Sequence, residues 1–437
     1  MPARNLLYAQ SGGVTPVINA SAAAIIHTAR NSTAVGEVYA ARNGIIGALQ
    51  EELYDTATLS DAQVMALRHT PGGSFGSCRY KLKGIDQSRA EYERLIEVFK
   101  AHNIGVFFYN GGGDSADTAY KISQIGDQLG YPVQCIGVPK TIDNDLPITD
   151  VCPGFPTVAK YVAVSTMEAS LDVMSMASSS TRVFILEVMG RHAGWIAAAA
   201  GLAQRQSDDP PQAILFPERA FAEQAFLQRV DASVGQQGYC TVVVSEGVRD
   251  ADGRFLSDSG VRDAFGHAQL GGVAPRIAEL IKGRLGHKCH WAVSDYLQRS
   301  ARHIASRIDV EQAWAVGRAA VEFAAAGETG VMPVIERLQS DPYRWRIGKA
   351  QLADMANQEK MMPEEFIDAS GFGITAACRE YLAPLIHGED YPPYAADGLP
   401  AYLPPGGCPL LAQKLPHWQE SQRNTHHIIV NKMKISR

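Results

Sequence analysis

The sequence predicts an α/β protein built from two Rossmann-like domains with mainly parallel sheets and a C-terminal extension. Three observations carry that prediction. Short runs of almost purely apolar residues recur: LLYAQ from residue 6, GVFFYN at 105–110, VQCIGV at 133–138, RVFILEVMG at 182–190, QAILFPE at 212–218 and TVVVSEG at 241–247. Helical patterns lie between these runs. Continuous apolar strands interleaved with helices belong to parallel sheets covered on both faces. Finally, a glycine-rich or charged motif follows strand after strand, at the end where such sheets bind ligands.

The elements follow in order. After LLYAQ the turn SGG leads to Thr15–Pro16, which reads as an N-cap with proline at N1 for a helix through INASAAAIIHTA. GVFFYN ends in GGGDS (111–115) before the helix ADTAYKISQIGDQL, closed by Gly130. VQCIGV runs into PKTIDND (139–145), where Asp143 and Asp145 stand three and five places after Lys140. MGRHAG (189–194) and SEG (245–247) close the next strands, and IAAAAGLA after Trp195 reads as a short buried helix. DYPPYAADGLPAYLPPGG (390–407) is too rich in proline and glycine for regular structure, and THHIIVNKMKISR reads as a surface tail.

Composition narrows the function classes. At 437 residues the chain exceeds one compact core, and 46% hydrophobic residues suffice for two. A net charge of −6 gives no general attraction to nucleic acid or anionic membrane, so any anion site must be local. No run of about 18 apolar residues marks a membrane span, and the N-terminal apolar run is too short for a signal peptide. The seven cysteines form no CxxC pair and read as core thiols of a cytoplasmic protein. His287 and His290 in HKCH lack a third ligand and read as ordinary polar histidines.

Glycines before two predicted helix N-termini let backbone N–H groups approach an anion. Two such cradles, with Arg79 in GGSFGSCR and Lys140, point to a polyphosphate. Neither has the GxxxxGK[ST] or GxGxxG spacing.

YAQSGGVTPVIN, GGSFGSCR, GGGDS, PKTIDND, EVMGRHAGW, SEG and YLQR occur in the order found in 6-phosphofructokinases. Over roughly residues 5–320 the chain resembles that family, and its pyrophosphate-dependent members in particular. The resemblance implies reversible phosphoryl transfer from pyrophosphate to the 1-hydroxyl of fructose 6-phosphate, with Mg²⁺. It also implies an active site in the cleft between the two domains: residues 1–155, joined by part of 300–437, would bind the phosphate donor, 156–300 the sugar phosphate, and 330–437 would form the extension.

On the same pattern Asp143 takes the hydroxyl proton, and Lys140, Thr141 and Arg191 complete the catalytic set. A carboxylate near its ordinary pKa of about 4 suffices because the transition state is loose. Gly13, Arg79, Asp114, Ser115 and Lys140 would hold the diphosphate. ATP-dependent relatives carry glycine where this chain has Asp114 and Lys140, so Asp114 would exclude a third phosphate while Lys140 neutralises the compact donor; a structural ion pair between the two is the alternative. Asp114 and Asp145 would serve the metal, because Gly113 stands where most relatives carry a metal-binding aspartate. Thr141, Ile142, Asp143, Met189, Gly190, Arg191 and Glu246 would line the sugar, with Tyr296, Leu297, Gln298 and Arg299 of YLQR as the 6-phosphate clamp. Arg182 would reach across from a neighbouring subunit, which implies a homodimer or higher homo-oligomer. Glu218 reads as structural. An ATP-dependent or sedoheptulose 7-phosphate kinase, and a catalytically silent sensing subunit, are the rival readings.

Overall fold

The computed structural model describes residues 4–257 and 272–418. Eleven strands form two sheets. The first has the order β11-β10-β5-β4-β1-β2-β3, from β1 (Asn5–Gln10), β2 (Val38–Ala41), β3 (Leu53–Asp55), β4 (Ile104–Gly111), β5 (Gln134–Pro139), β10 (Val331–Ser340) and β11 (Tyr343–Gln351). Its centre, from β10 to β2, is parallel, and β3 and β11 are antiparallel edges. The second sheet, β7-β8-β6-β9, is parallel throughout: β6 (Val183–Val188), β7 (Ala213–Leu215), β8 (Cys240–Ser245) and β9 (Cys289–Val293).

The apolar runs explain these strands. Every residue of β4 and β8 is buried, as strands covered on both faces require. The anticipated continuation beyond residue 330 is not a separate appendage, because β10 and β11 extend the first sheet next to β5. The Ala-rich run after Trp195 forms a fully buried short helix, Trp195–Ala199, continued by a 3₁₀ turn. Gly130 lies just past the end of the helix Gly113–Gln128 at φ +67°, the left-handed closure that its sequence position predicts.

One helix start differs from expectation. The first helix is Ile18–Arg30 with Val17 as its cap, not Thr15. The Thr15 hydroxyl accepts from the Val17 N–H at 3.3 Å, so it closes a local turn and the helix begins beyond it.

Of the cysteines, only Cys289 is more than marginally exposed, and none is in a disulfide. His287 pairs with Asp231 at 3.3 Å. Among the described residues no group of three His, Cys, Asp or Glu could hold a metal ion, and no helix is long and apolar enough to cross a membrane.

The proline-glycine segment forms a strap across the first sheet. Asp55 and Leu411 donate backbone bonds to Pro409 and Leu53. This covers the β3 edge, which would otherwise offer unpaired backbone groups. Two buried charge clusters pin the strap. Asp390 receives Arg302 at 2.6 Å, Arg68 at 2.8 Å and His69 at 3.3 Å. The Glu51 carboxylate accepts from His102 at 2.7 Å and from the backbone of Lys414 and Leu415 at 2.6 and 3.1 Å. The tail at 425–437 lies outside the described residues.

Candidate active site

The carboxyl ends of strands from both sheets face one cleft of about 1010 Å³. From the first sheet it is lined by Ser11–Val14 after β1, Gly112–Ser115 after β4, and Lys140–Asp143 with Asp145 after β5, together with Arg79. From the second come Met189–Ala193 after β6, Glu246 after β8, and Asp295, Tyr296 and Arg299 beyond β9.

At the floor three cations gather round Gly12 and Gly13. A Cβ on Gly12 would stand 3.3 Å from the Lys140 ammonium, and one on Gly13 would meet the guanidinium of Arg299 at 3.0 Å and that of Arg79 at 3.7 Å. The bare backbone leaves that space to the side chains and to whatever they hold. Lys140 is 5% exposed. Burial pulls its ammonium down to about 8; Asp143 and Asp145 oppose that shift, and Arg79 and Arg299 add to it. A concentration of positive charge at a desolvated site is a demand for an anion. Arg299 lies flat over the Tyr296 ring, 3.7 Å from its centre. The residue assigned to the sugar 6-phosphate thus stands over the donor cradle here.

Facing these cations are the carboxylates of TIDND. The Thr141 hydroxyl accepts from the Asp143 N–H at 3.0 Å and lies 3.4 Å from Asp143 Oδ2. Burial raises the pKa of Asp143, the Asp145 and Glu246 carboxylates raise it further, and Lys140 and Arg191 oppose the rise. Asp145 is raised by burial and then by Glu359. The expectation of an ordinary carboxylate at Asp143 is therefore corrected. Its half-buried, acid-crowded setting makes it a stronger base.

The second-sheet wall is fixed from below. Gly190 sits at φ +129°, its carbonyl accepting from the Ser245 hydroxyl at 2.5 Å, and Glu246 donates its backbone N–H to Val188 at 2.9 Å. The Arg191 Nε is buried in the cleft wall without a hydrogen-bond partner among the described residues. Burial also raises the Glu246 carboxyl, against the pull of Arg191.

Some sequence-predicted residues stand elsewhere. Leu297 is 65% exposed and does not line the cleft. Gln298 is fully buried and acts from behind, accepting from the Met189 N–H at 3.3 Å. Arg182 precedes β6, at the strand end opposite Met189, and is exposed. Asp114 pairs with Lys81 at 2.5 Å, so the ion pair considered with Lys140 is not the one formed. Glu218 receives the Gly194 N–H at 2.7 Å, a structural contact.

Sequence reasoning missed Lys81 and a whole stretch of wall, Asn357–Glu359 and Met361, which follows the short helix Leu352–Met355. Glu359 reaches His192 at 3.0 Å, joining that wall to the loop after β6. A Cβ on Gly113 would stand 3.6 Å from the Gln358 carbonyl, so the position that departs from the family pattern faces this stretch. His192 lies inside a quoted motif and was within reach; Asn357–Met361 carries no local signal.

Known proteins share this arrangement. The family profile described as phosphofructokinase matches residues 5–324. The chain is 65% identical over 404 residues to the pyrophosphate–fructose 6-phosphate 1-phosphotransferase of Methylococcus capsulatus, covering 92% of this chain and 96% of that one. It is 61% identical to the enzyme of the same name from Halomonas elongata over 401 residues, with 92% and 96% coverage. A crystal structure of a pyrophosphate-dependent phosphofructokinase from Nitrosospira multiformis superposes with a TM-score of 0.87 at 60% identity, over 95% of this chain and 100% of that one. With the profile spanning most of its length and relatives this similar, the chain belongs to the phosphofructokinase family.

Proposed function

We infer that the protein transfers a phosphoryl group reversibly between pyrophosphate and the 1-hydroxyl of fructose 6-phosphate, giving fructose 1,6-bisphosphate and phosphate. The observation that carries this reading is the convergence of Lys140, Arg79 and Arg299 on Gly12–Gly13, facing the half-buried carboxylates of Asp143 and Asp145. In the forward direction Asp143 receives the proton of the sugar hydroxyl as its oxygen attacks the near phosphorus. The bond to the bridging oxygen breaks, and phosphate leaves with the electron pair. Little covalent work falls to the protein, so positioning and charge dominate. Arg191, whose buried Nε has no hydrogen-bond partner among the described residues, supplies a donor to the equatorial oxygens. Lys140 and Arg79 neutralise the departing phosphate. Glu246 accepts from the sugar hydroxyls, and Tyr296 supports the sugar-phosphate side.

The Lys81–Asp114 pair modifies the argument for donor choice. A paired Asp114 repels a third phosphate less than a bare carboxylate would, so exclusion of a nucleotide rests more on the volume of the two side chains. Attraction rests on Lys140, whose buried charge is strong in a site with little water.

Mg²⁺ fits the donor set as a partner of substrate rather than as a resident ion. Asp145 offers hard oxygen in a cluster that burial and neighbouring acids hold above the ordinary range, and a cation relieves such crowding. No group of three His, Cys, Asp or Glu among the described residues could hold it alone, so pyrophosphate oxygens and water would complete its shell. Asp114 contributes less because Lys81 already holds it. When bound, the metal offsets charge on the pyrophosphate oxygens.

The working unit is a homodimer or larger, in the cytoplasm. Arg182 is exposed away from its own cleft, which suits service to a neighbour's sugar site. The edge strand β9 leaves Trp291 49% and Val293 44% exposed, and the helix Phe155–Met176 leaves Leu171, Met174 and Met176 at least half exposed. Apolar surface of this kind marks an interface.

The purified chain should form fructose 1,6-bisphosphate with pyrophosphate and Mg²⁺ and not with ATP. Turnover with ATP alone sinks the donor assignment.

A further inference from the structure

The loop that carries Asp143 and Asp145 holds only part of its shape by itself, with the Cys152 N–H donating to Asn144 Oδ1 at 3.0 Å. Asn144 lies at φ +54° and Ile148 at φ +66°. The left-handed region is unusual for asparagine and strained for a β-branched residue, so neighbouring structure must enforce it. The enforcing groups come from the far end of the chain. The Lys360 ammonium donates to the Thr149 carbonyl at 3.0 Å and to the Asp150 carbonyl at 2.8 Å, with Asn144 Oδ1 at 3.4 Å. Its own backbone N–H donates to the Asp145 carbonyl at 2.6 Å. One residue therefore grips the loop at four points, from 211 residues away in sequence at Thr149. The Tyr381 hydroxyl adds two more bonds, donating to the Asp150 carbonyl at 2.6 Å and accepting from Asn144 Nδ2 at 3.0 Å. Trp195 places its ring 5.5 Å from the ammonium and closes the far side.

We infer that Lys360 is a positioning residue for phosphoryl transfer, fixing the two-carboxylate loop in its reactive shape while touching neither substrate. The inference rests on the proposed function, because it assumes that Asp143 is the base. Buried backbone carbonyls left without a donor would drive the loop to another conformation. A shift of about 1 Å in a reacting group costs on the order of 100-fold.

The test compares wild type, Lys360→Met, Lys360→Arg and Tyr381→Phe in steady-state assays with pyrophosphate, alongside thermal unfolding. A wild type inactive with pyrophosphate defeats the functional reading itself. Given an active wild type, Lys360→Met should lower kcat about 10- to 100-fold with KM for both substrates within about threefold. Lys360→Arg, which keeps donors, should recover part of the loss. Tyr381→Phe should give a smaller fall in kcat of the same kind. A folded Lys360→Met with unchanged kcat, or with a rise in KM alone, overturns the inference. Should Lys360→Met fail to fold, Tyr381→Phe decides: unchanged kcat overturns the proposal, and a fall in kcat at constant KM supports it.

Discussion

The two walls of the cleft are finished to different degrees. The first-sheet wall is closed by groups of the chain itself: Lys140 is buried beside Gly12, Arg79 reaches Gly13, and Lys360 and Tyr381 hold the carboxylate loop from behind. Among the described residues the second sheet ends on β9, which exposes Trp291 and Val293, and Arg182 is exposed and does not line the cleft. The proposed donor site is thus enclosed by groups of one chain, while the proposed sugar side borders exposed surface. A charged, water-poor pocket for a short polyanion needs rigid enclosure. A sugar phosphate, larger and able to enter and leave, tolerates a wall completed by association.

Removing the base tests the donor wall most severely. Asp143→Asn should lower kcat in both directions by about 10²–10⁴-fold, equivalent to about 3–5 kcal/mol, with little change in KM. Progress curves from each side would reveal any asymmetry.

Next comes the clamp that keeps the first sheet closed. Arg302 is fully buried against Asp390. Asp390→Asn should destabilise the fold by about 3–5 kcal/mol, read by denaturant unfolding, because it leaves a buried guanidinium without its counter-charge. Burial alone would raise the Asp390 carboxyl, but hydrogen bonds from His69 and Arg302 hold it well below its usual range. Its contribution is therefore present above the unfolded value near 4 and fades as pH drops towards the depressed folded value. Unfolding midpoints that did not fall on acidification below that value would contradict this sign.

Arg182→Ala addresses the open wall. It should raise KM for fructose 6-phosphate about 10- to 100-fold, the worth of a hydrogen bond to a charged group, and leave KM for pyrophosphate unchanged. An equal effect on both substrates would erase the contrast between the walls.

The smallest effect is in pH. Burial lowers Lys140 to about 8, and its charged form is the one that attracts pyrophosphate. The pyrophosphate kcat/KM should decline as pH rises through that value. Lys140→Arg, always charged, should remove the decline.

Much of this was legible from the chain alone, for physical reasons. Strands buried on both faces must be apolar throughout, so β4, β5, β6 and β8 announce themselves, and so do the glycine and charge motifs at their ends. Thr15 misled because threonine before proline satisfies an N-cap and a local turn equally well. Asp143 misled because its raised pKa comes first from burial, which only the fold creates, and then from carboxylates including Glu246, about a hundred residues away in sequence. Lys81, Glu359 and Lys360 stayed hidden for the same reason: a lone lysine or glutamate in a loop looks like solvent-facing charge until the fold brings its partner. The strap was visible only as irregularity, and its anchors Glu51 and Asp390 carry no local signature.

That strap sets an order of assembly. The sheet begun by Asn5 gains its strand β10 only once residue 331 has been made, and its β3 edge is sealed by residues 409–411. On the ribosome the first strands to emerge therefore belong to the last sheet to be completed, and β5 must wait for its outer neighbour through the synthesis of the entire second sheet. The nascent amino-terminal half carries a sticky flank for most of translation, so yield in cells should depend on chaperone supply more steeply than the finished protein's stability would indicate.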